Sequence, residues 1–307
     1  MTEKNSILIT GCNGFIGSNV ARFYREKGYN TIGVDLNPVS LVDGVKYYQL
    51  NLATDNLNSL LIEHRPYALI HCAGVADVSY SVKYPDNDFY QNVVVSRRLM
   101  YSLKDFSSET KFIFLSSAGV YGNPQSLPVR EDSERKPISP YALHKKLVEE
   151  IIQYFRVQCG LDIKILRIFS AYGNGLKKQI FWDMAQKFKY TGKLELFGTG
   201  NETRDFIHIR DLIKAIFIIT EGKNYHEPIY NVANGSEISI GEIAEIFCEN
   251  VGCSKGVIKF NGQVRKGDPA RWCADIEKIK KIGYVQEVDI IDGVKEYVKW
   301  LKVNNYI

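Results

Sequence analysis

Long apolar runs are missing from this sequence. None approaches the roughly 20 residues a membrane-spanning helix needs, and Met1 to Ser6 is polar rather than a secretory leader. The expectation is a cytoplasmic protein with no membrane partner. An excess of one charge is missing as well: 39 lysines and arginines oppose 35 acids, a formal +4 spread along the chain. No basic block marks a nucleic-acid surface. The cysteines, Cys12, Cys72, Cys159, Cys248, Cys253 and Cys273, include no C-x-x-C pair and stand near no histidine at metal-ligand spacing. They read as reduced, mostly buried small side chains, and no metal is expected. Internal repeats and low-complexity tracts are absent too. What remains is a chain of 307 residues, enough for one large or two modest domains with ample core.

The most informative stretch lies near the start. Ser6 to Thr10 is an apolar run too short for a core helix, and Gly11, Gly14 and Gly17 follow at G-x-x-G-x-x-G spacing. Apolar residues then recur at helical spacing. Strand, tight turn and helix form a nucleotide-binding corner. Gly11 lets the backbone turn out of the strand, Gly14 lets a pyrophosphate approach the backbone, and Gly17 lets the helix pack on the sheet. The helix N-terminus offers free N–H groups to phosphate. A second run, Thr31 to Val34, ends in Asp35, whose carboxylate suits the adenosine ribose hydroxyls and repels a 2′-phosphate. Leu36 and Asn37 supply no arginine, so NAD is favoured over NADP.

Further runs follow in the same rhythm. Val45 to Leu52 closes on Asn51 and Leu52, where an amide could meet the adenine edge or simply fill a loop. Tyr67 to Gly74 reads as a buried parallel strand ending in the small residues Cys72, Ala73 and Gly74, which leave room for a ligand. Asp88 to Lys104 has helical periodicity, with Asn92 near its start. Lys111 to Leu115 is the next strand and runs into Ser116 and Ser117. Strands alternating with helices predict an α/β fold, a doubly wound parallel sheet of Rossmann type.

Ser139 and Pro140 open another helix as N-cap and first helical residue. Tyr141 and Lys145, four apart, share one of its faces. A lysine beneath a tyrosine favours phenolate, making the phenol a candidate general base. Alone this Y-x-x-x-K spacing is a common accident of surface helices; it gains weight from the glycine corner and the serine-ended strand before it.

In these residues the chain resembles the extended short-chain dehydrogenases/reductases, specifically the NAD-dependent epimerase/dehydratase family acting on nucleotide sugars, as in UDP-glucose 4-epimerase. The resemblance runs nearly end to end. It rests on the glycine corner, Asp35, His71 to Gly74, Ser116 to Gly122, Tyr141 with Lys145, Leu166 to Gly173, Phe197 to Gly200, Arg204 to His208 and Arg265 to Asp268. It implies a catalytic triad of Ser117, Tyr141 and Lys145, with Ser116 a more structural neighbour. The implied cofactor contacts are Gly11, Asn13, Gly14, Phe15, Ile16, Gly17, Asp35, Asn51, Leu52, Cys72, Ala73, Gly74, Asn92, Tyr141 and Lys145. For a nucleotide-diphosphate sugar they are Ser117, Ser170, Arg204, Arg265 and Asp268, the two arginines clamping pyrophosphate.

The resemblance also implies an NAD-binding domain over 1–169, with 204–233 returning to it, and a smaller C-terminal α/β lobe over 170–307 that carries the nucleotide sugar. A homodimer is expected through the helices near Asp88 to Lys104 and Pro140 to Gln158, and surface polysaccharide synthesis is a common setting. Some positions depart from the family. Ala118 and Gly119 stand where dehydratases carry an acidic pair, which argues against dehydration. Ser170 replaces a usual asparagine, and Asn51 a commoner aspartate. His144 has no implied role and is expected to be solvated, while His208 is expected to be a structural hydrogen-bonding residue. The expected activity is epimerisation of a nucleotide sugar at C4 by transient oxidation and hydride return. A reductase of a nucleotide-linked 4-keto-6-deoxy sugar, a dehydrogenase, and a non-catalytic NAD-binding regulator stand as alternatives.

Overall fold

A computed structural model describes residues 5–222, 227–263 and 267–307. The strands, in chain order, are β1 (Ser6–Thr10), β2 (Asn30–Asp35), β3 (Lys46–Gln49), β4 (Ala68–His71), β5 (Lys111–Ser117), β6 (Ile163–Ile168), β7 (Ser170–Tyr172), β8 (Leu194–Leu196), β9 (Thr203–Arg204), β10 (Phe206–His208), β11 (Ile229–Val232), β12 (Ile238–Ser239) and β13 (Ile258–Phe260). The α-helices are α1 (Phe15–Glu26), α2 (Asn58–His64), α3 (Val78–Lys83), α4 (Pro85–Phe89), α5 (Val95–Phe106), α6 (Pro140–Cys159), α7 (Gln179–Thr191), α8 (Ile209–Glu221), α9 (Ile240–Val251), α10 (Glu277–Lys281) and α11 (Ile290–Val303).

The chain forms two compact units. The first comprises Met1–Gly122, Arg135–Ile168 and Ile216–Tyr230, and the second Asn123–Glu134, Phe169–Ala215 and Asn231–Ile307. The segment that returns is therefore narrower than the expected 204–233, and a second excursion, Asn123–Glu134, leaves the first unit. Long-range pairing draws that excursion away: Val129 donates its N–H to the Cys273 carbonyl, and Asp275 donates to Val129. Such pairing has no local signature.

A seven-stranded sheet has the order β11-β6-β5-β4-β1-β2-β3; its strands β1 to β6 all belong to the first unit, and the pairings among them are parallel. The doubly wound fold read from the sequence is the one observed. Strand β4 is buried along its whole length, as a central parallel strand covered on both faces must be. Leu8, Ile32, Leu69, Phe112, Ile163 and Ile165 from the sheet meet Leu99, Val148 and Ile152 from the helices in one core. The order reverses between β1 and β4, which opens a crevice at their carboxyl ends. Helix α6 starts as its sequence requires, with the Ser139 hydroxyl accepting from the Ala142 N–H at 3.3 Å and Pro140 at the first position. The expected helix from Asp88 is instead three pieces, α4, a π-helical turn over Tyr90–Val94, and α5.

In the second unit β7 pairs with β10 and β8 with β13 in parallel, while β9 and β12 pair antiparallel. Its core is aromatic: Tyr172 stacks on Phe181 at 5.0 Å, and Phe181 meets Phe206 and Tyr297 edge-on. Cys248 and Cys253 form a disulfide, which corrects the expectation that all six cysteines are reduced. Gly252 caps α9 in the left-handed region at φ 92° and turns the chain back, so that Cys253 donates its N–H to the Cys248 carbonyl. Among the described residues no helix is long and apolar enough to cross a membrane, and no three His, Cys, Asp or Glu side chains cluster to hold a metal.

Candidate active site

The glycine corner closes on itself before any ligand is considered. Gly11 has φ 67°, and a Cβ there would lie 2.7 Å from the Ala73 Cα, so β1 and β4 end side by side only because Gly11 is bare. A Cβ on Gly17 would run into the Gly11 carbonyl oxygen; α1 therefore packs directly on the turn. The N–H of Gly14 donates to that carbonyl at 3.0 Å. Phe15 and Ile16 form the first turn of α1, and no acidic residue stands there to compete with an anion.

Asp35 ends β2 facing the corner. Its Oδ2 accepts from the Asn13 N–H at 3.0 Å, and its Oδ1 from the Asn37 N–H and side chain. Asn13 uses its carboxamide to hold the loop after β2, donating to Val39 and accepting from Leu41. Asn51 braces its own turn, with Oδ1 accepting from the Ala53 N–H at 3.1 Å, and Leu52 is buried in the core. At the end of β4, Gly74 has φ 130°, and a Cβ there would come within 2.6 Å of Asn92 Oδ1. Asn92 is buried in the π-helical turn. Its Nδ2 donates to the Val75 and Asp88 carbonyls, whereas Oδ1 has no partner among the described residues. A bare cradle of glycine backbone, an acid at the end of β2 and an orphaned buried acceptor beside Cys72, Ala73 and Gly74 fit a dinucleotide.

Ser117 ends β5, while Tyr141 and Lys145 project from the first turns of α6. The Ser117 hydroxyl accepts from the Gly119 N–H at 3.1 Å and lies near enough to the Tyr141 phenol to lower its proton affinity. Lys145 is buried. Its Nζ donates to the Leu115 carbonyl at 3.0 Å and lies 4.9 Å from the Phe114 ring and 5.9 Å from the Tyr141 ring. The structure thus brings Ser117, Tyr141 and Lys145 together. Burial pushes the Tyr141 phenol up to about 12; the Ser117 hydroxyl works against this rise and the Asp88 carboxylate adds to it. Burial is the largest cause of this rise.

Several neighbours escaped the sequence reading. His144, expected to be solvated, is buried and pairs through Nδ1 with Asp88 Oδ2 at 2.5 Å. Ser81 Oγ accepts from the Tyr141 N–H. Ser116 donates to Glu149, which also grips Arg167 and Arg135. No local pattern distinguishes these polar residues from surface ones.

In the second unit Ser170 pairs with Phe206, and its N–H donates to the Asp205 carbonyl at 3.0 Å. The Arg204 guanidinium lies 5.6 Å from the centre of the Trp272 ring and donates to the Thr203 carbonyl. Burial lowers its pKa, and Asp268 is the first charge opposing that shift. Asp205 accepts three backbone N–H bonds, from Asn234, Gly235 and Ala274. Arg265 lies outside the described residues. His208 is buried, with Nδ1 near the Arg210 N–H at 3.4 Å and Nε2 without a hydrogen-bond partner among the described residues.

The chain is similar to known proteins along nearly its whole length. The family described as "NAD dependent epimerase/dehydratase family" matches residues 7–233. A UDP-glucuronate 4-epimerase of Thermodesulfobacterium geofontis is 30% identical, over 97% of this chain and 96% of its own length. A UDP-glucose 4-epimerase of Thermotoga maritima, solved with UDP-glucose, superposes with a TM-score of 0.89 at 27% identity, covering 98% of this chain and 99% of that one. A UDP-glucuronic acid 4-epimerase of Bacillus cereus, solved with UDP-glucuronic acid and NAD, gives 0.88 at 25% identity, covering 97% and 99%.

Proposed function

The chain belongs to the NAD-dependent epimerase/dehydratase family, and from that membership together with the Ser117, Tyr141 and Lys145 cluster we propose that it is an NAD-dependent UDP-sugar 4-epimerase. The observation that carries the reading is the placing of Lys145, buried one helical turn on, with its Nζ 5.9 Å from the Tyr141 ring, while Ser117 ends the neighbouring strand β5.

Bound NAD supplies a hydride acceptor for the sugar carbon, and a donor for the return. The chain's own residues handle the proton and the geometry. Tyr141 takes the C4 hydroxyl proton as the carbon is oxidised and gives it back to the same oxygen once the keto sugar has turned and its carbon has been reduced on the opposite face. Ser117 hydrogen-bonds the same oxygen. Lys145, held by the Leu115 carbonyl, positions the nicotinamide ribose and adds positive charge near the phenol. Gly11, Gly14 and Gly17 accept the pyrophosphate against backbone, and Asp35 takes the ribose hydroxyls. Ser170, Arg204, Asp268 and Arg265 are assigned to the nucleotide sugar, Arg204 pairing with its phosphates.

A homodimer belongs to the same reading. Tyr101 on α5 and Leu143, Leu147, Tyr154 and Val157 along α6 are exposed apolar side chains, a concentration that suits a second copy of the same face. Its test is the mass in solution. Cytoplasmic location and supply of sugars for surface polysaccharide complete the reading as expectations from the family.

The activity test is product analysis by NMR after mixing the protein with UDP-glucose, UDP-glucuronate, and dTDP- and GDP-linked sugars, with and without added NAD(P)H. The C4 epimer forms without added reductant. Reduction of a 4-keto-6-deoxy sugar with equal consumption of NAD(P)H, and no epimerisation, overturns the proposal in favour of a reductase.

A further inference from the structure

Asp88 and His144 form a buried polar pair for which the proposed chemistry has no use. Asp88 is the penultimate residue of α4 and is fully buried; His144 lies in α6, between Tyr141 and Lys145, and is 6% exposed. The His144 Nδ1–H donates to Asp88 Oδ2 at 2.5 Å, while the ring meets Phe89 edge-on at 5.3 Å. Asp88 Oδ1 has no partner among the described residues. A buried carboxylate with one oxygen unsatisfied is costly, and replacing the pair by apolar side chains is the cheaper solution for stability alone.

Position resolves the difficulty. The main-chain carbonyl of Asp88 accepts from Asn92 Nδ2 at 3.1 Å, and the Asn92 carboxamide lies against Gly74 at the end of β4. One continuous set of contacts therefore runs from the helix of Tyr141 and Lys145, through His144 and Asp88, to the Asn92 and Gly74 wall of the dinucleotide crevice. The π-helical turn after α4 makes this possible, since its extra residue per turn offsets Asn92 from the register of a regular helix. We propose that Asp88 and His144 are positioning residues, which lock the register of α6 against the Asn92 wall and so set the distance between Tyr141 and the cofactor. The inference rests on the epimerase reading for its kinetic consequence, not for its geometry.

The test compares His144→Ala and His144→Asn with wild type as NAD-bound proteins. An asparagine Nδ2 stands close to the place of the imidazole Nδ1 and can still donate to Asp88. In His144→Ala we expect kcat for UDP-sugar epimerisation to fall about 10- to 100-fold, with KM and bound NAD content unchanged within about twofold. His144→Asn restores most of the rate. The 13Cζ resonance of Tyr141, identified by its loss in Tyr141→Phe, moves in His144→Ala and returns in His144→Asn. Should His144→Ala fail to fold, Asp88→Asn, which keeps shape and an acceptor, carries the same comparison. A His144→Ala protein with unchanged kcat and an unmoved Tyr141 resonance overturns the proposal, as does a rate loss that follows NAD content and is not rescued by asparagine. A wild-type protein inactive on every nucleotide sugar sinks the epimerase reading instead, and the Tyr141 resonance then decides the positioning role alone.

Discussion

Ser116 donates to Glu149 at 2.6 Å, although the two residues are 33 apart in sequence and lie on different elements, β5 and α6. The same carboxylate is gripped by Arg167 from β6, whose guanidinium also meets the Tyr121 hydroxyl at 2.8 Å. Glu149 and Arg167 are both essentially excluded from water, and burial of the arginine is outweighed by its acid partner and the tyrosine, so its pKa rises. A serine on the strand that ends at Ser117 and a glutamate two turns past Tyr141 thus join the strand to the helix.

Breaking this pair leaves a buried unpaired charge. Glu149→Leu is expected to destabilise the first unit by about 3–5 kcal/mol, and Ser116→Ala, which deletes one hydrogen bond, by about 1 kcal/mol. Urea denaturation of each variant checks the ordering.

Tyr141→Phe retains the ring and loses the proton carrier. Its kcat is expected to fall by about 10²–10⁴ with binding of the nucleotide sugar nearly unchanged. Ser117→Ala, which keeps the base and removes one donor to the reacting oxygen, is expected to cost about 10²-fold. Steady-state kinetics with calorimetric binding separate the two effects.

Gly17→Ala places a methyl against the Gly11 carbonyl. The shift of α1 is expected to cost about 1–3 kcal/mol and to reduce the NAD that co-purifies. Melting temperature and nucleotide content, measured on the same preparation, report both.

Arg204→Lys retains charge but gives up the planar fork and its packing against Trp272. KM for the nucleotide sugar is expected to rise about 10-fold with kcat preserved. An equal loss in kcat would place Arg204 in the chemical step instead.

Acid stability follows from buried titrating groups of opposite sense. Burial takes His71 from 6.5 down to about 3 and His208 down to about 4. The unfolded chain then binds protons that the folded one refuses. This stability is complete above pH 6.5 and is lost as pH falls toward those values, at up to about 1.4 kcal/mol per pH unit for each imidazole. Asp205, raised by burial from 3.8 to about 6, works the other way and gains stability as pH falls through that interval. Between pH 6 and pH 4 each imidazole therefore steepens the loss of stability and Asp205 flattens it. His71→Asn is expected to make the fall shallower; a slope unchanged in that variant would show that His71 titrates normally.

The glycine corner, Asp35, the buried run of β4, the Ser139–Pro140 start of α6 and the Tyr141–Lys145 spacing were all legible in the chain, because each is a local pattern whose physics acts over a few residues. The partition into two units was legible only in outline. Its real joints, at Asn123–Glu134 and Ile216–Tyr230, depend on backbone pairing between distant segments. The π-helical turn that interrupts the helix from Asp88 and the disulfide across the α9 cap were hidden as well, since neither leaves a periodic trace.

The sequence by itself determined a parallel α/β sheet, a phosphate-accepting turn and a tyrosine one helical turn from a lysine, because strand period, helix period and the conformational freedom of glycine are local properties. Tertiary structure alone decided the charge environment of that tyrosine. Its high proton affinity comes from burial and from Asp88, an acid brought beside α6 from α4. Desolvation and Coulomb forces act through space, between residues that chain order keeps far apart.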